Sequence, residues 1–336
     1  MKALVTGPDG LLGSNLVRVL LEKGYETRAL VQNGRNSDTL DGLGLEIVRG
    51  DIRDRDSLFS AVKGCSVVIH AAANTSTSPA RSPSVREINI EGTRNIVAAV
   101  KKNDVERFIH VGTTNSFGFG SKENPGNETR PYTAGKYNLD YFNAKYEAQK
   151  IVLREVEKDG LPAIIVNPTF LVGPYDSKPG FGTVIIALYH GKLKAIPIGG
   201  RNYIHVRDVA AGIVNAFTMG RIGECYILGN RNLSYEEIFT MITRVLNVPP
   251  PKRVVSPTIV KLYGICCQAA GYITRKSPAI NLAIARIACD EHYYSAQKAI
   301  DELALPQTPI EHAIEEAFHW FRENGYLEKE PLNMHR

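Results

Sequence analysis

Short apolar runs alternate with longer segments of helical spacing through the first half of the chain. The apolar runs are "KALVT", "ETRALV", "LEIVRG", "SVVIHAA", "ERFIHVG" and "PAIIVNP". Between them lie "LLGSNLVRVLLEK", "DRDSLFSAVKG", "VREINIEGTRNIVAAVKK" and "YFNAKYEAQKIVLREVEK", whose apolar residues recur at the spacing of a helix face. Nearly continuous apolar runs suit strands buried on both faces, and the amphipathic segments supply the covering helices. The pattern predicts an α/β fold, a doubly wound parallel sheet of the Rossmann type. Such a sheet takes its ligands in the crevice beyond the carboxyl ends of the strands, where the strand order reverses.

Beyond Pro168 the beat loosens. Loop-rich "NPTFLVGPYDSKPGFG" leads into an apolar helix, then "YIHVRDVAAGIVNAF" and "ECYILGN" read as a strand, a helix and a further strand. Helical segments follow from Ser234. The expected organisation is a dinucleotide-binding part over 1–168, with 203–230 returning to its sheet. Segments 169–202 and 231–336 then form a smaller, mostly helical C-terminal substrate lobe. Within it "PTIVKLYGICCQAAGYIT" is the longest apolar stretch, interrupted by Lys261 and marginal in length for a bilayer. It reads as a buried or lid helix, with contact to a membrane interface as the lesser alternative. No integral membrane segment is expected.

Composition narrows the class. The 336 residues are 43% hydrophobic and 22% charged, which suits a globular protein large enough for a sizeable core. A net charge of +5, with lysine and arginine scattered, does not suggest nucleic acid as a partner. The five cysteines, Cys65, Cys225, Cys266, Cys267 and Cys289, form no CxxC pair, and adjacent Cys266 and Cys267 would bridge only with strain. Neither a disulfide framework nor a metal site is expected, and a reduced, cytoplasmic setting fits. The opening residues reach Gly7, Pro8, Asp9 and Gly10 before any adequate apolar core of a signal peptide.

The first apolar run ends in Gly7-x-x-Gly10-x-x-Gly13, directly before a helical segment. Glycine permits a tight turn, lets backbone N–H groups approach a pyrophosphate and lets the helix sit close to its strand. A plain strand-to-helix turn is the alternative, but the position at the first βα junction favours a dinucleotide cradle, with Asp9, Leu11 and Leu12 lining it. At the end of the second run, "ALVQNGRN" has no acid to hold a ribose 2′-hydroxyl. Arg35, and secondarily Arg28, could instead meet a 2′-phosphate, so NADP(H) is favoured with NAD(H) as the alternative.

Tyr141 and Lys145 stand on one face of a helix in "YFNAK". A phenol exchanges protons near neutral pH only with help, and a neighbouring ammonium that stabilises its phenolate lowers its pKa. A second YxxxK spacing, Tyr132 and Lys136, lies beside Pro131 and Gly135 in a loop or helix start and is set aside. The fifth run ends at Gly112 and offers hydroxyls at Thr113, Thr114 and Ser116. Thr113 is placed to hydrogen-bond a substrate oxygen, whereas turn satisfaction suffices for Thr114 and Ser116.

Taken in order, "VTGPDGLLG", "GDIRD", "HAAA", "NIEGTRN", "VGTT", "YFNAK", "NPTFLVGP" and "YIHVRDVA" resemble an extended short-chain dehydrogenase/reductase. Within the NAD-dependent epimerase/dehydratase superfamily, the chain is similar to the dihydroflavonol reductase-like and hopanoid-associated epimerase-like group, over nearly its whole length. The resemblance implies that Asp51 and Ile52 border the adenine and that Ala71, Ala72 and Ala73, with Pro168, line the cofactor cleft. It implies Tyr141 as the proton carrier, Lys145 also on the nicotinamide ribose, and Thr113 in place of the family's serine. Asn89 sits on the helix that usually buttresses the site, with an exposed asparagine as the plain alternative. Relatives often dimerise through the helices corresponding to Val85–Lys102 and Leu139–Lys158, which makes a homodimer with Ile151 and Val152 in its interface an expectation.

Two departures bear on substrate. Phe170 stands where sugar-nucleotide members carry an asparagine, and a phenyl ring cannot replace an amide's hydrogen bonds. Thr113 is followed by Thr114 and Asn115 rather than by the acid of dehydratases. With Thr114 and Phe170 as substrate-contact candidates, and "FGTVIIALYHG" and "IVKLYGICCQAAGYI" as either an apolar lid or plain core, the leading expectation is a reductase. It would interconvert ketone or aldehyde and alcohol on a largely apolar small molecule, with NADP(H). A nucleotide-sugar epimerase retaining NAD is the alternative, and a non-enzymatic dinucleotide sensor the third.

Overall fold

The computed structural model describes residues 1–275, 278 and 280–328. The first part runs β1 (Lys2–Thr6), α1 (Leu11–Glu22), β2 (Glu26–Val31), β3 (Glu46–Arg49), α2 (Arg55–Val62) and β4 (Val67–His70). It continues with α3 (Pro83–Arg86), a π-helical turn at Glu87–Glu91, α4 (Gly92–Lys102), β5 (Arg107–Val111), α5 (Asp140–Asp159) and β6 (Ala163–Pro168). The remainder is β7 (Phe170–Val172), α6 (Gly182–Tyr189), β8 (Ala195–Pro197), β9 (Gly200–His205), α7 (Val206–Met219), β10 (Cys225–Leu228) and β11 (Arg231–Ser234). After it come α8 (Tyr235–Leu246), β12 (Arg253–Val255), α9 (Pro257–Thr274), α10 (Leu282–Ile287), β13 (Glu291–His292), α11 (Gln297–Leu303) and α12 (Ile310–Glu323).

The main sheet has seven parallel strands in the order β10-β6-β5-β4-β1-β2-β3. The doubly wound fold is therefore present, and the order reverses between β1 and β4. Alternate residues of each strand feed separate cores. Ala3 and Val5 of β1 pack with Leu16 and Leu20 of α1 and with Val209, Ile213 and Phe217 of α7. Leu4 points the other way, to Leu58 of α2 and to Ile96 and Val100 of α4. Fully burying one such side chain contributes about 1.5–3 kcal/mol, so the two covered faces hold the strand ends, and the crevice between them, in place.

Strand β9 and its neighbours depart from expectation. The stretch from Tyr203 was to rejoin the main sheet, but β9 is the centre of a second sheet with β11, β13 and β7. Only α7 and β10 return to the first. This second sheet, covered by α6, α8 and α12 through Ile185, Ile238, Phe239, Ile314 and Phe321, makes the smaller lobe less purely helical than its sequence reads.

Two more corrections follow from packing. Ile151 and Val152 were placed in a dimer interface, yet Ile151 is buried against Val85, Ile90 and Ala144, and Val152 lies in the core beneath α4. Their apolar character serves the monomer. Helix α9 was read as buried or as a lid, yet of its residues only Gly264 is buried. A narrow inner face centred on Gly264, with Gln268 accepting from the Leu282 amide, leans on α10 and the rest faces outward. Among the described residues no helix is long and apolar enough to cross a membrane.

Candidate active site

The crevice at the reversal point opens into a cleft of about 930 Å³. Gly7 forms its floor. Its φ of +68° is a left-handed conformation that favours glycine, and a Cβ there would stand 2.8 Å from Ala72 Cα. A Cβ on Gly13 would lie 2.0 Å from the Gly7 carbonyl oxygen, so only glycine lets α1 sit this close to the end of β1. Gly10 is the N-cap of α1 and supplies no side-chain cap, and the first turn carries no acid. The amide groups and positive dipole end of α1 therefore face the cleft unneutralised, as an anionic pyrophosphate requires. The residues present fit a dinucleotide.

The opposite wall is pinned by polar side chains. Thr6 Oγ1 accepts from the Ala72 amide at 3.1 Å and bonds His70 Nδ1 at 2.9 Å, which sets the path of Ala71–Ala73. Burial pushes His70 down to about 3, so this histidine is neutral. Asn89, in the π-helical turn, accepts from the Asn74 amide and donates to the Asn74 carbonyl, both at 2.9 Å. It is buried, so it clamps the loop after β4 instead of standing exposed.

At the end of β2, Gln32 Nε2 donates to Asp51 Oδ2 at 2.9 Å, and Arg53 Nη2 donates to the same oxygen at 2.7 Å. The Arg53 guanidinium holds the Asp51 carboxyl down to about 2. Ile52 packs beneath Gly92, where a Cβ would come within 2.7 Å of its Cδ1. Arg35 lies exposed on the cleft rim and its Nε donates to Gln32 Oε1 at 3.1 Å. Arg28 does not reach the cleft. Its Nη1 donates to the Ala61 and Lys63 carbonyls at 2.7 and 2.8 Å, and its Nε pairs with Glu46 at 3.0 Å. It lies early in β2, where it ties that strand to β3 and α2, and is therefore not free to meet a 2′-phosphate.

Helix α5 carries Tyr141 in its first turn and Lys145 one turn on, both facing the cleft. Lys145 is buried and its Nζ donates to the Val111 carbonyl at the end of β5 at 2.6 Å. Burial lowers its ammonium to about 8 and pushes the Tyr141 phenol up to about 12. Sequence reasoning expected a phenol made more acidic by Lys145, whereas in this structure desolvation raises it and the phenol stays protonated at neutral pH. Thr113 Oγ1 accepts from the Asn115 amide at 3.3 Å and from Asn115 Nδ2 at 3.1 Å, which leaves its own hydroxyl hydrogen to donate elsewhere. The other YxxxK pair is engaged otherwise. Tyr132 donates to Asn143 Oδ1 at 2.6 Å, and Lys136 pairs with Asp290 at 2.7 Å.

The cleft is thus lined by Gly7, Asp9, Gly10, Leu11, Leu12, Gly13, Arg35, Asp51, Ile52, Ala71, Ala72, Ala73, Thr113, Thr114, Tyr141, Lys145, Pro168 and Phe170. Asp9 is ion-paired with Lys178 at 2.6 Å across the mouth. Thr114 donates to the Pro168 carbonyl at 3.4 Å, and Ser116 is buried in the short turn behind it. The substrate end adds residues that the sequence reading passed over, Phe142, Arg201, Ile284, Ile287, His292 and Tyr294, together with Phe181 from the stretch read as an apolar lid or plain core. Arg201 Nε donates to the Tyr235 hydroxyl at 2.9 Å, and its guanidinium carbon lies 4.8 Å from the centre of the Phe170 ring. Asn167 was also missed. Its Nδ2 donates to the Thr113 carbonyl at 3.1 Å and to Gln149 Oε1 at 2.7 Å, joining the end of β6 to α5 and to the Thr113 turn. A lone amide in the apolar run "PAIIVNP" was the available signal.

This arrangement defines a nicotinamide-dinucleotide enzyme on a doubly wound sheet. Residues 3–229 match the NAD dependent epimerase/dehydratase family, and the chain belongs to it. A Synechocystis sp. protein carrying the provisional name dihydroflavonol 4-reductase is 33% identical over 328 residues, covering 96% of this chain and 95% of its own. Sterol demethylase protein B of Methylococcus capsulatus is 29% identical over 332 residues, covering 97% and 100%. Among solved structures, that of gox2253 superposes with a TM-score of 0.84 at 32% identity, over 96% of this chain and 98% of its own. Similarity to such proteins supports an NAD(P)-dependent enzyme of the epimerase/dehydratase family, with proteins named as reductases among its relatives.

Proposed function

We propose that the chain is an NADP(H)-dependent reductase of a largely apolar ketone or aldehyde, the reaction being reversible. The observation that carries this reading is the meeting of Tyr141, Lys145 and Thr113 in a cleft whose substrate end presents Phe142, Phe170, Phe181, Ile284 and Ile287, with Arg201, His292 and Tyr294 as polar members. When bound, the nicotinamide supplies the hydride that the carbonyl carbon receives. The chain's own residues handle the oxygen. The Thr113 hydroxyl, with both of its bonds from Asn115 being accepted ones, donates to the carbonyl oxygen and orients it. The Tyr141 phenol, kept neutral by burial, transfers its proton to the same oxygen as negative charge develops there. The Lys145 ammonium, held by the Val111 carbonyl, stabilises the phenolate left behind and is placed to hold the nicotinamide ribose.

The choice of NADP(H) rests on the end of β2. The carboxylate nearest it, Asp51, is neutralised by Arg53, while Arg35 offers a guanidinium at the rim with no ion pair to a described carboxylate. A 2′-phosphate suits that arrangement better than a bare 2′-hydroxyl.

The test is Tyr141→Phe. The phenyl ring preserves the packing against Phe142, so stability and NADPH affinity should stay within about twofold while turnover of carbonyl compounds falls by about 10²–10⁴. Full activity in this variant overturns the assignment. A second reading, a nucleotide-sugar epimerase, draws on one observation: Arg201 lines the cleft without an ion pair to a described carboxylate and could meet an anionic substrate group. Protein purified with bound NAD that converts a UDP-sugar without added cofactor would establish that reading.

A further inference from the structure

Helix α9 turns its apolar face away from the protein. Ile259, Leu262, Cys266 and Ile273 fall on one stripe at helical spacing, with Ile265, Tyr263 and Tyr272 flanking it. Leu262 is 59% exposed, Tyr272 77% and Ile273 84%, so this stripe is covered by nothing among the described residues. The inner face is narrow, centred on Gly264 with Val260, Cys267, Gln268 and Gly271 half-buried beside it. A Cβ on Gly264 would stand 2.6 Å from Ala285 Cβ of α10, so α9 lies flush on that helix with its large side chains outward. An uncovered apolar face of this size on a globular protein marks an interaction surface.

Charge says what covers it. From Ile238 to Cys289 the chain contains no aspartate or glutamate, while it carries Arg244, Lys252, Arg253, Lys261, Arg275, Lys276 and Arg286. Lys252 and Arg253 precede α9, Lys261 stands on its border and Arg275 follows it, all exposed and none ion-paired with a described carboxylate. An apolar stripe between unpaired cations is the pattern of a helix that lies in a negatively charged lipid interface. A second copy is disfavoured by the same residues, since its basic rim would meet this one and the stretch from Ile238 to Cys289 carries no acid to offset it.

We propose that α9 docks this protein on the surface of an anionic phospholipid bilayer, lying in the interfacial plane. The stripe enters the acyl boundary, Tyr263 and Tyr272 sit at headgroup level, and the flanking cations meet lipid phosphates. Helix α10, directly behind α9, contributes Ile284 and Ile287 to the cleft wall, so docking brings the substrate end of the cleft next to the bilayer. The docking itself does not depend on the reductase reading.

Co-sedimentation of the full chain with vesicles tests it. Binding to phosphatidylcholine mixed with phosphatidylglycerol is expected, with phosphatidylcholine alone at least about tenfold weaker. Leu262→Glu combined with Ile273→Glu should weaken binding to the mixed vesicles by at least about tenfold. Lys261→Gln with Arg275→Gln should cost about fivefold per charge on mixed vesicles only. All four side chains are exposed, so unchanged melting temperature and NADPH affinity verify the fold of each variant. Unchanged turnover of a water-soluble carbonyl compound separates a failure here from a failure of the reductase reading. Absent binding to mixed vesicles, or equal binding by wild type and the Leu262→Glu, Ile273→Glu variant, overturns the proposal. So does light scattering that shows a dimer converted to monomer by that variant with no vesicle binding, which would make a second copy the occupant.

Discussion

Replacing Lys145 by methionine separates catalysis from stability, because this ammonium is held where the fold disfavours it. Burial brings it from an ordinary value of 10.5 to about 8. At neutral pH that corresponds to about 3 kcal/mol against the folded state. The sign is fixed by the direction of the shift. The cost is complete below about pH 8, where folded and unfolded chains are both protonated, and fades as pH rises toward 10.5. Methionine occupies a similar stem without charge, but it removes the 2.6 Å bond to the Val111 carbonyl. A buried carbonyl left short of a donor costs about 1–2 kcal/mol. Net stability at pH 7 should therefore rise by about 1–2 kcal/mol, which in a protein of this size is a gain of a few degrees in Tm. Turnover should fall at least about 100-fold. Scanning calorimetry at pH 7 and near pH 10, beside NADPH consumption with a carbonyl substrate, measures both. The Tm advantage should shrink at the higher pH, and in the wild type kcat/KM for reduction should decline above about pH 8 as Lys145 loses its proton. A variant that melts several degrees lower at pH 7, or one that keeps its turnover within tenfold, refutes the reasoning.

Two further substitutions probe the dinucleotide. Gly13→Ala puts a methyl group 2.0 Å from the Gly7 carbonyl oxygen, so α1 must move off β1. A stability loss of about 1–3 kcal/mol and at least about tenfold weaker NADPH binding are expected, by denaturant titration and NADPH fluorescence. Unchanged affinity would place the pyrophosphate elsewhere. Arg35→Ser should weaken NADPH by about tenfold and leave NADH within twofold, because only the former carries the 2′-phosphate. Equal losses for both would remove the basis for NADP(H).

The alternation of apolar runs and amphipathic segments, the glycine spacing after β1 and the Tyr141–Lys145 pair were legible in the sequence by itself. Each is local. Period and spacing report which side of an element is apolar, where backbone must pass close to a neighbour and which side chains share one helical turn. What those elements meet was decided by the tertiary structure. Ile151 and Val152 look like an interface until α3, the π-helical turn and α4 are packed over them. Arg28 looks free for a phosphate until the Ala61 and Lys63 carbonyls and Glu46 close around it. The reverse happens at α9, where an apolar stripe that reads as core has nothing among the described residues laid against it. Asn167 reaches the Thr113 turn and Arg201 reaches the Phe170 ring only because β6, β7 and β9 bring those positions together. Burial and hydrogen bonding depend on partners far along the chain, and that is why the nature of each element was readable in advance while its neighbours, and hence the substrate end of the cleft, were not.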